Sequence, residues 1–514
     1  MWQVPEAQTT TPQVEYGKGE SHDHIVMQNT GGCLASEHPW GSSSHLNGLE
    51  NPSATCAAKS AQHKIIESIG DCLASEHPWG SHRKPPLGKP AAPCTTNGPD
   101  VVRPLITFDR KPPAMDATQI KEKSCSAIQS RSKELWDLSQ EIWKNPELAF
   151  KEHYAHRVLA EFLENRGFRV DRHYELETAF RAVCGEEGGL HVCVICEYDA
   201  LPGIGHGCGH NLIAEVGVAA GIAIKEVIQD FGQPVKVTVL GTPAEEQGGG
   251  KNILIERGCF KGVDFAMMAH PDICSIARWR CLARVSVEVT YKGHASHPAY
   301  QTWEGTNALD AAVLCLNNIS VLRQQMRPHH QIHGIIVDGG SHPDVIPEET
   351  KLEFQLRAPL RSDLDLLERQ LVACFQAAAT ATGCELEYKF HKGPEYYLNV
   401  LQNDTLITRY EKNSRDLGVE FCTDQKVFAG EMFSGSTDMG NVSHVVPSIH
   451  PEFSIGDTAA THSALFTKVA GAPEAQPYTL TQGKVLAMTA IDVICHPELF
   501  KKMKEDFKHD IANT

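Results

Sequence analysis

Two apolar runs with strand character, residues 191–197 and 235–241, each lead into a glycine-rich turn that carries metal-type donors. The first turn is Gly205-His206-Gly207-Cys208-Gly209-His210-Asn211, with a thiol and an imidazole two residues apart. The second is Pro243-Ala244-Glu245-Glu246-Gln247-Gly248-Gly249-Gly250, with two adjacent carboxylates. A buried strand that ends in such a turn and is followed by a helical run (212–227 after the first) specifies an α/β layer with a largely parallel sheet. Loops at the carboxyl ends of parallel strands collect functional groups. Asp199, Cys208, Glu245 and His270 all fall at such ends.

The remaining strands and helices divide the chain. Residues 1–115 are rich in Ser, Gly, Pro, His and Asn and lack sustained periodicity, which predicts a disordered extension. Within it the block from Cys33 to Ser42 recurs unchanged from Cys72 to Ser81. Cys33, His38, Cys72 and His77 have the donor types of a Cys2His2 zinc site. A duplicated unstructured segment is the simpler reading. Order is expected from residue 116: a helix over 118–144, a second over 153–165, and strands at 179–184 and 264–269. From residue 283 the pattern changes. Val285, Val287 and Val289 alternate as in a half-buried antiparallel strand. A helix (305–325), two strands (332–338, 351–357), a helix (363–382) and a strand (384–390) follow. This βαββαβ order is that of a ferredoxin-like unit. The α/β layer resumes after 393 and ends in a helix over 479–494. The expected organisation is therefore an N-terminal extension (1–115), a catalytic domain in two parts (116–282 and 393–514), and an inserted lid or dimerisation domain (283–392).

Composition excludes several functions. A net charge of −17 sets aside nucleic acid and anionic membrane as main partners. No apolar run approaches the length of a membrane span. The first ten residues lack a basic region followed by an apolar core, so no secretory signal is expected. Seventeen cysteines, an odd number without a spacing framework, predict a reducing compartment, the cytoplasm or alternatively the nucleus.

The donors point to hydrolytic metal chemistry. A thiolate and a neutral imidazole suit a borderline-soft ion such as zinc, and the glycines around Cys208 and His210 let backbone approach it closely. Cys-x-His alone also fits a buried cysteine beside a surface histidine. His270, in Met-Met-Ala-His-Pro, and His462, in Ala-Thr-His-Ser, are each ambiguous in isolation. The Glu245-Glu246 pair is sharper. Such pairs are usually solvated, but these two close a buried strand behind Pro243. One could bind metal while the other takes a proton from water.

Residues 118–510 resemble the M20 metallopeptidase family, in its amidohydrolase branch. The likeness runs through Glu197-Tyr-Asp-Ala-Leu-Pro-Gly-Ile-Gly-His206, Cys208-Gly-His-Asn-Leu-Ile-Ala-Glu-Val-Gly217 and Gly241-Thr-Pro-Ala-Glu-Glu246. It continues through Trp303-Glu-Gly-Thr-Asn-Ala-Leu-Asp-Ala-Ala312, Gly435-Ser-Thr-Asp438 and the tail around Ala475-Gln-Pro-Tyr-Thr-Leu480. The resemblance implies a zinc-peptidase-like α/β catalytic domain with the inserted ferredoxin-like domain, and a homodimer formed through that insertion. It implies Cys208, His210, Glu246, His270 and His462 as metal ligands, Glu245 as general acid/base, and Asp199 as the carboxylate that orients a ligand. Zinc is the expected ion, with manganese or cobalt as alternatives, one or two per subunit. Glu197 stands where many relatives have a metal-binding histidine, which leaves the metal count open. His297, in Lys292-Gly-His-Ala-Ser-His297, matches the small-domain histidine that stabilises the tetrahedral intermediate, in such enzymes sometimes across a dimer; the spacing to Trp303 favours it over His294. Arg357 matches the residue that grips the substrate carboxylate, and Thr437 lies in a matching substrate-binding segment. Asp344, in Asp344-Val-Ile-Pro347, replaces the family's usual asparagine and would repel a carboxylate unless protonated or turned away. The implied activity is hydrolysis of dipeptides with a basic C-terminal residue (Xaa-Arg, Xaa-Lys, Xaa-Orn, including β-alanyl and γ-aminobutyryl forms). The alternatives are an N-acyl-amino-acid or aminobenzoyl-glutamate amidohydrolase and a non-catalytic scaffold on the same fold.

Overall fold

A computed structural model describes residues 115–423 and 435–514. The N-terminal extension, with its duplicated block, lies outside the described residues. Three helices open the chain: α1 (Ala117–Ser130), α2 (Ser132–Lys144) and α3 (His153–Glu164). The single helix expected over 118–144 is broken at Arg131, whose ψ of 12° leaves the helical range. The break lets two apolar stripes face different neighbours. Ile120, Ala127 and Ile128 are buried on α1 and Leu135, Leu138 and Ile142 on α2.

Strands β1 (Arg169–Arg172), β2 (Phe180–Gly185), β3 (Leu190–Glu197), helix α4 (His210–Glu226), strand β4 (Val235–Thr242), helix α5 (Gly250–Glu256) and strand β5 (Phe265–Met267) follow. They form a six-stranded sheet in the order β1-β2-β4-β3-β5, completed by Ser448–Ile449 at its far edge. β4, β3, β5 and Ser448–Ile449 run parallel, while β1 and β2 add an antiparallel margin. The parallel strands read as continuous apolar runs because helices cover the sheet. Six consecutive residues of β3, Val192–Glu197, are buried. α4 packs on it with fifteen buried residues, and Gln476–Cys495 lies beside α4.

After β5 comes the short strand β6 (His270–Asp272), and the chain then leaves the sheet. It builds β7 (Ala283–Lys292), α6 (Ala308–Leu322), β8 (Gln331–Asp338), β9 (Glu349–Ala358), α7 (Arg361–Thr382) and β10 (Glu385–His391). These form an antiparallel sheet in the order β10-β7-β9-β8, with its own core of Val285, Val287, Val289, Leu352, Phe354, Leu371 and Phe375. The chain then returns through α8 (Asp404–Asp416) to pair Ser448–Ile449 with β5, so the second sheet is an insertion in the first. β6 pairs in parallel with Glu452–Ser454 in a small sheet of its own. Among the described residues no helix is long and apolar enough to cross a membrane.

One buried carboxyl on α4 makes the fold sensitive to alkali. Glu215 is fully buried; it accepts from Gln476 Nε2 at 2.6 Å, while Oε2 has no partner. Burial raises its pKa from 4.5 to about 8. The folded state therefore holds this proton more tightly than the unfolded chain. Its contribution is neutral below pH 4.5, becomes increasingly unfavourable as pH rises from there, and levels off above pH 8. Glu215→Gln should remove a penalty on the order of 3–5 kcal/mol at pH 9 and change little at pH 4. Urea unfolding at the two pH values checks this; equal effects at both would contradict it.

Candidate metal centre

The parallel strands β3, β4 and β5 deliver their following turns to one end of the sheet. β3 runs into Asp199, which is 1% exposed. Its Oδ1 lies 3.0 Å from His210 Nδ1, and its Oδ2 accepts from the Glu246 backbone N–H at 2.9 Å. One carboxylate thus ties the first residue of α4 to the turn after β4. With the proton on Nδ1, the His210 Nε2 lone pair faces inward, where that atom is buried and has no hydrogen-bond partner. Gly209 makes this entry feasible. Its φ is +73°, and a Cβ there would meet the Pro271 ring at 2.6 Å.

The turn after β4 is held in an unusual conformation. Ala244 has φ +61°, outside the usual range for a residue with a Cβ. Its N–H donates to the buried Glu152 carboxylate at 2.9 Å, and Tyr397 Oη donates to the Glu245 carbonyl at 2.7 Å. These clamps present Glu245 and Glu246 to the same space. His270 enters at the start of β6, its Nδ1 held by the Pro271 carbonyl at 2.8 Å. His462 arrives from the far end of the chain with φ +61°, its N–H donating to the Gly207 carbonyl at 2.7 Å.

The donor atoms converge. Cys208 Sγ is 3.3 Å from His270 Nε2 and 3.3 Å from His462 Nε2. Glu246 Oε1 is 3.5 Å from His462 Nε2 and 3.7 Å from His210 Nε2. Three overlapping triads place their donor atoms within 4.8 Å of one another: Cys208, His210 and His270; Cys208, Glu246 and His462; His210, Glu245 and Glu246. Glu246 Oε1, like His210 Nε2, is buried without a hydrogen-bond partner. Buried polar atoms left unpaired on the inner face of a thiol, imidazole and carboxylate cluster are what a divalent cation satisfies. The residues present therefore fit such an ion.

Burial and the mutual repulsion of the acidic groups resist negative charge there. Burial, with Glu246 and Glu245 beside it, pushes the Cys208 thiol well above its usual pKa. Burial, Glu197 and Glu246 do the same to the Glu245 carboxyl. Burial opposes the charge on His210, but Asp199, Glu197 and Glu246 outweigh it and raise its pKa to about 10, so a cation that takes the Nε2 lone pair displaces a proton from it.

Sequence reasoning missed the charge that balances Glu197. Lys251, fully buried on α5, places Nζ 2.5 Å from Glu197 Oε1 and 2.7 Å from Asp438 Oδ1. Glu197 Oε2 is 3.7 Å from His210 Nε2. Nothing local marks Lys251, because both of its partners are distant in sequence.

Cys208, Glu245, Glu246, His270 and His462 line a cavity of about 470 Å³, within the range that takes small ligands. Arg284 and Arg357, register partners on β7 and β9, also line it, as do Gln331, Trp279, Tyr397 and Thr437. Arg357 donates to Ser436 Oγ at 2.8 Å and Gln355 Oε1 at 2.9 Å, and has no carboxylate partner among the described residues. Within one chain the structure does not bring His297 or Asp344 to this cavity. His297 is exposed on the turn after β7, its Nδ1 accepting from Ala299 N. The Asp344 side chain is 75% exposed, 3.9 Å from His342 Nδ1.

Residues 193–470 match the model of peptidase family M20/M25/M40. The chain is 48% identical over 405 residues to the human Xaa-Arg dipeptidase, covering 76% of this chain and 92% of that one. It is 31% identical over 292 residues to one of the polypeptides of the Escherichia coli p-aminobenzoyl-glutamate hydrolase, covering 53% of this chain and 60% of that one. Among solved structures, a dinuclear metal-binding peptidase of the M20 family from Bacillus subtilis superposes with a TM-score of 0.56 at 17% identity, covering 71% and 99%.

The buried triad yields a stability test. Lys251→Met would leave Glu197 and Asp438 as adjacent unpaired buried carboxylates, at a cost of about 3–5 kcal/mol. Denaturant unfolding of the variant measures it; a loss under about 1 kcal/mol would mean that the triad is not held as described.

Proposed function

Because the chain belongs to peptidase family M20/M25/M40, we propose that its cavity hydrolyses the amide bond of dipeptides with a basic C-terminal residue: Xaa-Arg, Xaa-Lys and Xaa-Orn. The observation that carries this reading is the placement of the Glu245 carboxylate in one cavity with Cys208, Glu246, His270, His462 and two arginines, and in one donor group with His210. The 48% likeness to the human Xaa-Arg dipeptidase supports the substrate class.

Cys208, His210, Glu246, His270 and His462 would hold the ion: zinc, or alternatively manganese or cobalt, one or two per subunit. When bound, a divalent ion supplies Lewis acidity to the scissile carbonyl and makes water a stronger acid. Glu245 takes the proton of the attacking water and returns it to the departing amine. The clamps on Ala244 N and the Glu245 carbonyl fix the position from which it does so. Asp199 keeps the His210 proton on Nδ1, so that Nε2 is free to bind. Arg357, pre-set by Ser436 and Gln355, offers a planar pair of donors to the substrate carboxylate, with Thr437 beside it. Arg284 adds a second positive charge.

A homodimer through the inserted domain completes this reading. β8 is the edge of its sheet and exposes Ile335 (62%) and Val337 (51%), an apolar edge suited to pairing. His297, exposed on the same domain, would reach the partner subunit's cavity and offer a donor to the developing oxyanion. The Asp344 carboxylate, turned to solvent beside His342, would stay clear of the substrate carboxylate. The cytoplasm is the compartment that suits an enzyme with so many free thiols.

A panel of dipeptides with C-terminal Arg, Lys, Orn, Leu or Glu, plus aminobenzoyl-glutamate, assayed with zinc, manganese or cobalt, tests the assignment. The basic dipeptides should give the highest kcat/KM. In the same assay Glu245→Gln should keep its metal and lose roughly 10²–10⁴-fold in turnover. Preference for aminobenzoyl-glutamate would replace this reading with the amidohydrolase one, and a wild-type protein inert on the whole panel would favour a scaffold.

A further inference from the structure

The cavity has a second charged pole. His270 and Asp272 are two residues apart on β6 and share a face of it, and Glu452 is the register partner of His270 on the neighbouring strand. All three line the cavity. Asp272 is 9% exposed and Glu452 6%. Asp272 Oδ1 accepts from the Ile273 N–H at 2.6 Å. Glu452 Oε2 is buried and has no hydrogen-bond partner, and neither carboxylate forms an ion pair among the described residues. His450, also in the wall, has both ring nitrogens buried and unpartnered, with Trp279 packed edge-on against its ring at 5.5 Å. Two buried carboxylates with no cationic side chain paired to them are costly unless a ligand supplies a cation.

No Lys or Arg forms an ion pair with Asp272 or Glu452 among the described residues, whereas Arg284 and Arg357 hold the cavity's positive charge. The cavity therefore suits a ligand that carries a carboxylate and a cationic nitrogen at different places. We propose that Asp272 and Glu452 form the subsite that binds a cationic nitrogen of the substrate and thereby set the specificity of the reaction. The inference rests on the dipeptidase reading above and adds the residues that select the substrate. A dipeptide with a basic C-terminal residue has two such nitrogens, the N-terminal amine and the side-chain amine or guanidinium. Both share the chemistry that a buried carboxylate pair recognises through charge-assisted hydrogen bonds. An acyl-glutamate, with a second carboxylate and no cation, is disfavoured there by like charge.

The test uses the metal-loaded full chain and its Glu452→Gln and Asp272→Asn variants, both near-isosteric. β-Alanyl-lysine is compared with β-alanyl-norleucine, which lacks the side-chain cation, and with N-acetyl-β-alanyl-lysine, which lacks the N-terminal one. In the wild type, removing the nitrogen that occupies the subsite should lower kcat/KM by roughly 10- to 100-fold, mainly through KM. In either variant that discrimination should collapse towards unity, and the analogue whose disadvantage disappears identifies the nitrogen. Calorimetric binding of β-alanyl-lysine to a Glu245→Gln background, with and without Glu452→Gln, should show the same fold-change independently of turnover. If the wild type prefers basic dipeptides and both variants keep full discrimination, the subsite is overturned and the dipeptidase reading stands. If the wild type prefers aminobenzoyl-glutamate, both fall together. Should one variant fail to fold, as judged by circular dichroism, the other decides.

Discussion

The site depends on one carboxylate. Asp199 accepts from His210 Nδ1 and from the Glu246 backbone at the same time, so the turns after β3 and β4 cannot move independently. One of these contacts fixes which ring nitrogen of His210 faces inward, and the other sets where the Glu245-Glu246 pair lies. Both act in a region that is almost fully buried, where a misplaced charge costs several kcal/mol. The positive φ values at Ala244 and His462 are local strain that this arrangement has to hold.

Charge in the cavity is sorted by element. Cys208, His210, Glu245, Glu246 and the Lys251–Glu197 pair come from the first sheet and the segments that follow its strands, while His270 comes from β6 and His462 from a late turn. Arg284 and Arg357 come from adjacent strands of the inserted sheet, whose register brings the two guanidinium groups to the same opening. Asp272 and Glu452 come from the small sheet β6 forms beside His270. The inserted sheet thus contributes positive charge to a site that is otherwise acidic.

Much of this is legible in local sequence patterns. β3, β4 and the βαββαβ order could be read because burial on both faces, or on one, leaves a run or an alternation within a few residues. Cys208, His210 and the glutamate pair could be read because each group is contiguous. His270 and His462 were ambiguous alone because they meet Cys208 only across separations of 62 and 254 residues. Lys251, Asp272, Glu452 and His450 left no local sign, since their significance lies in what they face after folding. The break at Arg131 was missed because the apolar period continues through it and only the direction of the stripe changes. α8 was missed because its solvent face is strongly polar, although Leu406, Ile407 and Tyr410 are buried. The four-residue β1 is too short to give a period.

The claim that Cys208 and the imidazoles share one ion is tested most directly by X-ray absorption on zinc-loaded protein. The account predicts a sulfur scatterer at about 2.3 Å together with nitrogen or oxygen at about 2.0–2.2 Å. In Cys208→Ser the sulfur shell should disappear while the lighter shell remains. A wild-type spectrum without sulfur, or a sulfur shell that survives in Cys208→Ser, would contradict it.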